Sequence, residues 1–203
     1  MEEIHNRALL ISGSPREKGN TDLLLQELAR GIEEEGMAAD TVALRSYELR
    51  PCVACEQCRR DKTCTRILDG MHLLYPLVER ARCIVMGSPT YNYNVTPEIK
   101  SFIDRLYPYF DFSSQRPGPY RSRLAESGRF AALIAVCEQE EESELGYTLP
   151  FMRDALRVIG YEIAEELPIT GHFSRGGGRR DSQALEKAFE TGVRMAQRLK
   201  QDG

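Results

Sequence analysis

The segment ALLISGSPREKGNTDLLLQELARGIEEE, residues 8–35, contains the pattern that decides the fold. Its first five residues form an apolar run of strand length, and the glycine- and serine-containing stretch that follows predicts a turn. The spacing then changes, because Leu25, Leu28 and Ile32 recur at intervals that place them on one face of a helix. Gly36 favours a stop for that helix. The segment therefore predicts a strand at 8–12, a loop, and a helix at 21–35, which together start an alternating α/β domain.

The same alternation continues along the chain. Further strands are predicted at 40–44, 83–88, 130–137 and 161–167, and further helices at 97–107, 149–159 and 182–200. Thr96 and Pro97 suit the N-cap and first position of the helix at 97–107. Five strands with right-handed crossovers predict an α/β fold of the flavodoxin-like type. This is a three-layer α/β/α sandwich with a five-stranded parallel sheet in the order 2-1-3-4-5, although other doubly wound orders satisfy the same periodicity.

Two connections are unusually long for a compact domain. One is the cysteine-containing segment at about 45–71, called the cysteine loop below, which we interpret as an insertion into a single domain spanning 1–203. The other is 108–129, where Pro117, Gly118 and Pro119 indicate an irregular excursion that serves as a lid or an oligomer contact.

The amino-acid composition and net charge exclude some classes of function. The chain has 203 residues, of which 41% are hydrophobic and 29% charged, as is ordinary for a globular domain. A net charge of −4 gives no electrostatic basis for binding nucleic acid. No apolar run reaches membrane-spanning length, and the run at 8–11 is too short for a signal-peptide core. We therefore expect a cytoplasmic protein without a nucleic-acid or membrane partner.

Four cysteines lie close together in CVACEQCRRDKTC, residues 52–64. The C-x2-C-x2-C-x5-C spacing opens like the bacterial ferredoxin run, and it lets one loop supply all four thiolates of a 4Fe–4S cluster. Five cations against two acids in residues 50–66 would stabilise such an anionic group. Structural zinc, which usually takes two separated cysteine pairs, and disulfides, which a reducing compartment disfavours, remain alternatives. Cys83 and Cys137 fall within apolar runs and are expected in the core.

Two polar loops follow the first and third strands. The phosphate loop, SGSPREKGNT at 12–21, runs directly into a helix and lacks both G-x-G-x-x-G and a Walker lysine–serine pair. It suits a terminal phosphate such as that of FMN, with an ordinary glycine-rich connection as the alternative. The ring loop, GSPTYNYNVTPE at 87–98, offers aromatic faces and amides suited to a flavin ring, unless its tyrosines merely pack locally. Both loops are expected to open onto one crevice, because strands one and three flank the point where strand order reverses.

Three motifs together resemble the iron–sulfur flavoprotein family, within the NAD(P)H-dependent FMN reductase-like branch of the flavodoxin superfamily. They are the phosphate loop, the cysteine array and SPTYNYNVTPEIKSFIDR at 88–105, and beyond residue 105 only the strand–helix rhythm is similar. The resemblance implies an FMN phosphate site made of Ser12, Ser14, Pro15, Arg16, Asn20 and Thr21. It implies a flavin-ring site made of Pro89, Thr90, Tyr91, Asn92 and Tyr93. The implied 4Fe–4S ligands are Cys52, Cys55, Cys58 and Cys64. Similar proteins are dimers or tetramers, so self-association is expected.

The chain departs from this family after the fourth strand. Residues 138–144, called the acidic run, contain five glutamates where relatives usually have a glycine-rich loop. Near a flavin these charges would repel nucleotide phosphate, but a solvated lead-in to the next helix is the simpler interpretation. The segment SRGGGRRD at 174–181 is expected to be a solvated turn rather than a phosphate site, and His172 receives no role.

Three functions follow from these observations. The first is a redox flavoprotein with FMN and a 4Fe–4S cluster, which transfers electrons between ferredoxin or NAD(P)H and an acceptor. The second is an NAD(P)H-dependent FMN or quinone reductase without a cluster. The third is a zinc-stapled flavodoxin-like binding module without turnover. No catalytic side chain is predicted, because in the first two functions the cofactors carry the chemistry.

Overall fold

The apolar runs of the chain pair into a parallel sheet. The computed structural model describes residues 5–125 and 127–201. Its strands are β1 (His5–Ser12), β2 (Ala38–Ala43), β3 (Ala81–Pro89), β4 (Phe110–Phe112), β5 (Tyr120–Ser122), β6 (Phe130–Val136) and β7 (Glu162–Ile169). Five of these form one sheet in the order β2-β1-β3-β6-β7, with each neighbouring pair parallel. Counted within that sheet the order is 2-1-3-4-5, so the predicted flavodoxin-like fold is confirmed.

Helices cover both faces of the sheet. They are α1 (Asn20–Glu34), α2 (Cys58–Asp61), α3 (Met71–Arg80), α4 (Pro97–Asp104), α5 (Thr148–Ile159) and α6 (Ser182–Gln201). Successive side chains of a strand point to opposite faces. Leu9 and Ile11 accordingly pack in the cluster with α3, α4 and α5, whereas Leu10 packs with α1 and α6. None of the helices in the described part of the chain is long and apolar enough to cross a membrane.

The predicted helix boundaries are largely confirmed. Gly36 and Gly160 follow α1 and α5 with φ of +74° and +109°, the left-handed conformation that favours glycine at a helix end. The Thr96 hydroxyl accepts a hydrogen bond from the Ile99 amide and caps α4. That helix ends at Asp104 rather than at 107, because the chain turns into a short 3-10 segment around Pro108.

Four of these elements were not predicted, namely α2, α3, β4 and β5. Helix α3 follows the cysteine loop directly and buries Met71, Leu74, Tyr75 and Val78, with a proline inside it at Pro76. The connection at 108–129 is not wholly irregular, because β4 and β5 pair there as an antiparallel hairpin. The prediction of an irregular excursion is therefore wrong where these two strands pair. The hairpin packs against the cysteine loop, as described below.

Candidate cofactor site

A cavity of about 140 Å³ opens at the carboxyl edge of the sheet, between the loops that follow β1, β3, β6 and β7. Seven of the predicted site residues line it: Ser14, Arg16, Asn20, Thr21, Pro89, Thr90 and Tyr91. The phosphate loop and the ring loop therefore meet in one crevice, as expected. Seven further residues line the cavity and were not predicted as site residues: Gly19, Val136, Cys137, Glu138, His172, Phe173 and Arg175.

The phosphate loop presents a helix N-terminus to this cavity. Gly19 occupies the N-cap of α1, and no side chain caps the helix there. The first-turn amides have no intrahelical partners, and their dipoles favour an anion. The main-chain amide of Gly13 donates to the carbonyl of Gly87 over 2.8 Å, which fixes the loop to the end of β3. This arrangement suits a phosphate.

Hydrogen bonds to the carboxylate of Asp22 hold the same loop in place. Its carboxylate, whose side chain is 9% exposed, accepts hydrogen bonds from the Ser12 hydroxyl at 2.6 Å and the Lys18 amide at 2.8 Å. Arg45 donates to both carboxylate oxygens, at 3.1 and 2.9 Å, and to the carbonyl of Ser14 at 3.0 Å. Ser12, a predicted phosphate ligand, thus directs its hydroxyl to Asp22 and does not line the cavity. Pro15 does not line it either.

Residues 170–181, called the capping loop, close over the phosphate loop. The Asn20 side chain donates to the carbonyls of His172 and Ser174 and accepts from the Gly178 amide at 3.1 Å. Arg16 donates to the Phe173 carbonyl at 3.0 Å. The segment 174–181 is largely exposed or half-buried, as expected of a solvated turn, but Arg175 and Gly178 also contact the phosphate loop.

Within the capping loop, Arg175 and His172 both face the cavity. The Nε of Arg175 donates to the carbonyl of Glu17 over 2.8 Å, so a second arginine joins Arg16 beside the helix terminus. His172 Nε2 lies 2.9 Å from Asp181 Oδ2. The pKa of Asp181 is lowered, first by the hydrogen bond from the Ala184 amide and, against the opposing effect of burial, by His172. Asp181 thus caps α6 and holds His172 in place.

The ring loop makes a tight turn at the cavity mouth. Tyr91 and Asn94 exchange two main-chain hydrogen bonds, at 2.7 and 3.0 Å. Asn92 and Tyr93 between them have φ of +47° and +63°. Both lie outside the cavity lining, and the Tyr93 side chain is 56% exposed. Of the predicted ring residues, Pro89, Thr90 and Tyr91 therefore face the cavity, whereas the other two form its outer rim.

The acidic run lies at this same mouth. Glu138 lines the cavity, and Glu144 raises the pKa of Tyr93 through a hydrogen bond and its negative charge. The Tyr147 amide donates to the Tyr93 carbonyl over 2.7 Å, which holds the two segments together. The run does lead into α5, as the simpler interpretation has it, but it also borders the site.

The four cysteines line a second cavity, of about 340 Å³. Burial raises the pKa of Cys58 to about 11, and the charges of Cys64, Cys52 and Cys55 add to this rise, so the four sulfurs lie within electrostatic reach of one another. The Ala54 amide points at the Cys52 sulfur over 3.4 Å. Among the described residues, however, no three acidic, histidine or cysteine side chains converge as ligands of one metal ion.

The β4–β5 hairpin packs against this cysteine loop. Arg59 donates to the Ser113 carbonyl at 3.0 Å and lies over the Phe112 ring at 4.7 Å. Lys62 pairs with Asp111 at 2.5 Å. The two cavities have no lining residue in common.

Backbone strain is confined to the three predicted loops. The non-glycine residues with positive φ in the described part of the chain are Lys18, Ala54, Glu56, Lys62, Asn92 and Tyr93. Such conformations cost about 1–3 kcal/mol each and concentrate at binding sites. Their distribution supports a functional role for all three loops.

A family model described as NADPH-dependent FMN reductase matches residues 6–143, which is more than half of the chain. The chain belongs to the NADPH-dependent FMN reductase family.

Sequence relatives of this FMN reductase family member are iron–sulfur flavoproteins. One from Methanocaldococcus jannaschii is 38% identical over 98 residues, which are 48% of this chain and 50% of that protein. Another, from Archaeoglobus fulgidus, is 40% identical over 95 residues, or 47% and 48% of the two chains. The chain spans about half the length of the curated relatives it matches. The resemblance inferred from the three motifs is confirmed.

Solved structures agree with the fold of an FMN reductase. A flavone reductase superposes with a TM-score of 0.69 at 14% identity, over 96% of this chain and 63% of the other. An FMN-dependent NADH-azoreductase from Bacillus anthracis, solved with FMN, gives 0.67 at 14% identity over 96% and 99%. An archaeal flavodoxin gives 0.57 at 14% identity over 96% and 99%. At these identities the likeness shows the fold alone.

Proposed function

We propose that this chain is an FMN-dependent oxidoreductase that also carries a 4Fe–4S cluster in its cysteine loop. It would transfer electrons between ferredoxin or NAD(P)H and an acceptor, in the cytoplasm, as a dimer or tetramer. The observation that carries the proposal is the presence of two cavities, one with an uncapped helix N-terminus and one lined by all four cysteines. When bound, FMN would supply hydride and single-electron chemistry and the cluster single-electron chemistry.

The first cavity fits the phosphate end of FMN. The N-terminus of α1 and the guanidinium groups of Arg16 and Arg175 favour an anion, and the Ser14 and Thr21 hydroxyls lie in the same wall. Its 140 Å³ is smaller than the roughly 300–1,000 Å³ of most cofactor sites. We therefore assign the phosphate and ribityl chain to the cavity and the flavin ring to its mouth, against Tyr91.

The second cavity fits a multi-atom cluster better than a single ion. A water-sized ion occupies roughly 30 Å³, whereas this cavity measures about 340 Å³. Four cysteines around a space of this size suit a four-iron core, in which each thiolate binds a different iron. The names of the sequence relatives support the same assignment.

The charges around the two cavities favour ferredoxin over NADPH as the donor. The acidic run borders the flavin mouth, where it would hinder an approaching nucleotide phosphate. On the cysteine loop, Arg60 projects into solvent with 84% of its side chain exposed, although it pairs with Asp61 at 2.7 Å. An acidic ferredoxin would therefore meet a cationic side chain there.

A second candidate is a reductase of the same family without a cluster. It is favoured by the lack of three converging metal ligands in the described residues. Iron, acid-labile sulfide, zinc and FMN should be assayed on anaerobically purified protein. We expect about four iron and four sulfide per chain, with FMN. Stoichiometric FMN without iron would favour the cluster-free reductase, and zinc without sulfide or FMN would favour the binding module.

Cysteine variants provide a matched control for the cluster assignment. Cys58→Ala removes a thiol from the four-cysteine cavity and should lose most of the iron. Cys137→Ala removes a thiol that lines the other cavity, and it should retain the iron. Equal iron content in the two variants would contradict the assignment of the cysteine loop.

A further inference from the structure

The cysteine loop is closed at its base by a buried ion pair. Arg105, directly after α4, donates to both carboxylate oxygens of Asp69, at 2.7 and 3.0 Å. The two side chains are 1% and 2% exposed. A buried pair of this kind is strongly destabilised when one partner is removed, because the other is left as an uncompensated charge.

The same two side chains bind both ends of the loop. Arg105 donates to the carbonyl of Arg50 at 2.8 Å, before the first cysteine, and to that of Ile67 at 3.2 Å, after the last. Asp69 in turn accepts from the amides of Arg50, at 2.9 Å, and Met71, at 3.1 Å. This arrangement, called the neck, fixes the separation of the segments that flank the four cysteines.

Arg105 also has one N–H group that binds no acceptor. Its Nε is buried and has no hydrogen-bond partner, while the residue contributes to the wall of the four-cysteine cavity. A buried N–H without a partner is destabilising, so such groups call for an explanation. An acceptor inside the cavity, such as the sulfur of an anionic cluster, would satisfy it.

We propose that Arg105 is a positioning residue for the cluster: it holds the neck closed and supplies its free Nε–H to a cluster sulfur. The proposal rests on the cluster proposed above. Hydrogen bonds and charges next to the sulfurs set the reduction potential of such a cluster. Arg105 therefore affects both the retention of iron and the potential, and Asp69 opposes it electrostatically.

The two partners give opposite predictions for the midpoint potential. Arg105→Lys keeps a cation but loses the fork geometry, so the cluster should lose a donor and its potential should become more negative. Asp69→Asn keeps the guanidinium and removes the compensating anion, so the potential should become more positive. Both variants open the neck in part, and both should release iron to a ferrous chelator several-fold faster than the wild type.

Arg105→Met should lose most of its iron and sulfide. Arg129→Met is the matched control. Arg129 and Arg105 are equally buried as whole residues, at 2% exposure each, and Arg129 likewise binds main-chain carbonyls and has a buried Nε without a partner, yet it does not line the cysteine cavity. That control should unfold more easily while its iron content and potential stay as in the wild type.

Iron, sulfide, chelator release and midpoint potential should be measured on anaerobic holoprotein. If Arg105→Met does not fold, the two milder variants decide. Wild-type release with an unchanged potential in both would overturn the proposal, and so would potential shifts of the same sign, which a merely structural role would give. Wild-type protein without iron and sulfide would instead refute the cluster itself, and this proposal with it.

Discussion

Replacing Asp22 by asparagine is the most direct test of how the phosphate loop is built. The carboxylate accepts four hydrogen bonds, one from Ser12, one from the Lys18 amide and two from Arg45. Asparagine has nearly the same shape, but it replaces one acceptor oxygen with a donor NH₂ and removes the charge that compensates Arg45. At least one of the groups that donate to Asp22 must then face the NH₂ group of the asparagine, which is itself a donor.

The expected loss of stability depends on how deeply the Asp22–Arg45 pair is buried. Breaking a buried ion pair by removing one partner costs about 3–5 kcal/mol. Here the Asp22 side chain is 9% exposed and that of Arg45 is 22% exposed, so water screens the pair in part. We expect Asp22→Asn to lower the free energy of unfolding by about 2–3 kcal/mol. Because the Lys18 amide and the Ser14 carbonyl lose their anchor, FMN affinity should fall about 10- to 100-fold, at about 1.4 kcal/mol per tenfold.

Urea unfolding of flavin-free protein and titration of FMN by fluorescence measure these two effects. Arg45→Met and the double variant complete a cycle, in which the double variant should be less destabilised than the sum of the singles. Asp40→Asn is the matched control, because Asp40 forms a more exposed pair with Arg7, with side chains 35% and 29% exposed. It should cost less than about 1 kcal/mol. An Asp22→Asn protein as stable as this control, with unchanged FMN affinity, would refute the reasoning.

Four further predictions follow. Ser14→Ala/Thr21→Ala protein should lose more affinity for FMN than for riboflavin, which lacks the phosphate; equal loss in titrations would move the phosphate elsewhere. Gly192→Ala should destabilise the protein by about 1–3 kcal/mol in urea, because a Cβ there would overlap a main-chain oxygen of α1; unchanged stability would contradict this packing. Burial acts to raise the pKa of Asp69, but hydrogen bonds from its arginine partner and two amides outweigh it and lower that pKa below 3.8. The ionised Asp69 carboxylate therefore stabilises the fold at pH values above its unfolded pKa. The difference in free energy of unfolding between cluster-free wild type and Asp69→Asn should shrink as the pH falls below about 5. A difference that stays constant down to acid pH would argue against this role of Asp69. Arg60→Glu should slow flavin reduction by ferredoxin at low salt but not at high salt, whereas stopped-flow traces insensitive to salt and charge would favour NADPH as donor.

Sequence alone predicted the five strands of the sheet, because the central strands β3 and β6 are apolar and buried along most of their length and glycine or proline marks many of the turns. The order 2-1-3-4-5 was one of several that the periodicity allowed, and the structure confirms it. Sequence analysis missed α3, which begins where the predicted cysteine loop ends, since Pro76 interrupts the helical pattern. It also missed the β4–β5 hairpin, whose strands have only three residues each. Periodicity cannot be recognised over so short a stretch.

The sequence identified the loops that form the candidate sites more accurately than the side chains that line them. Both polar loops after β1 and β3 do line one cavity, but the hydroxyl of Ser12 was assigned to phosphate although Asp22 binds it. An acid in the first turn of a proposed anion site was the available signal, because it requires a cation such as Arg45 to neutralise it. Arg175 and His172 were missed for a different reason. Their position depends on α6 packing beside α1, and this long-range contact leaves no local pattern.

The neck also has a consequence for the order in which the protein is made. Ribosomes release the chain from its N-terminus, so the four cysteines emerge well before Arg105, which is 36 residues beyond its partner Asp69. The β4–β5 hairpin that covers the loop emerges later still. A nascent chain that stops short of these elements presents four thiols on an unclosed segment. We therefore expect any group bound by these cysteines to be inserted after the chain has passed the hairpin.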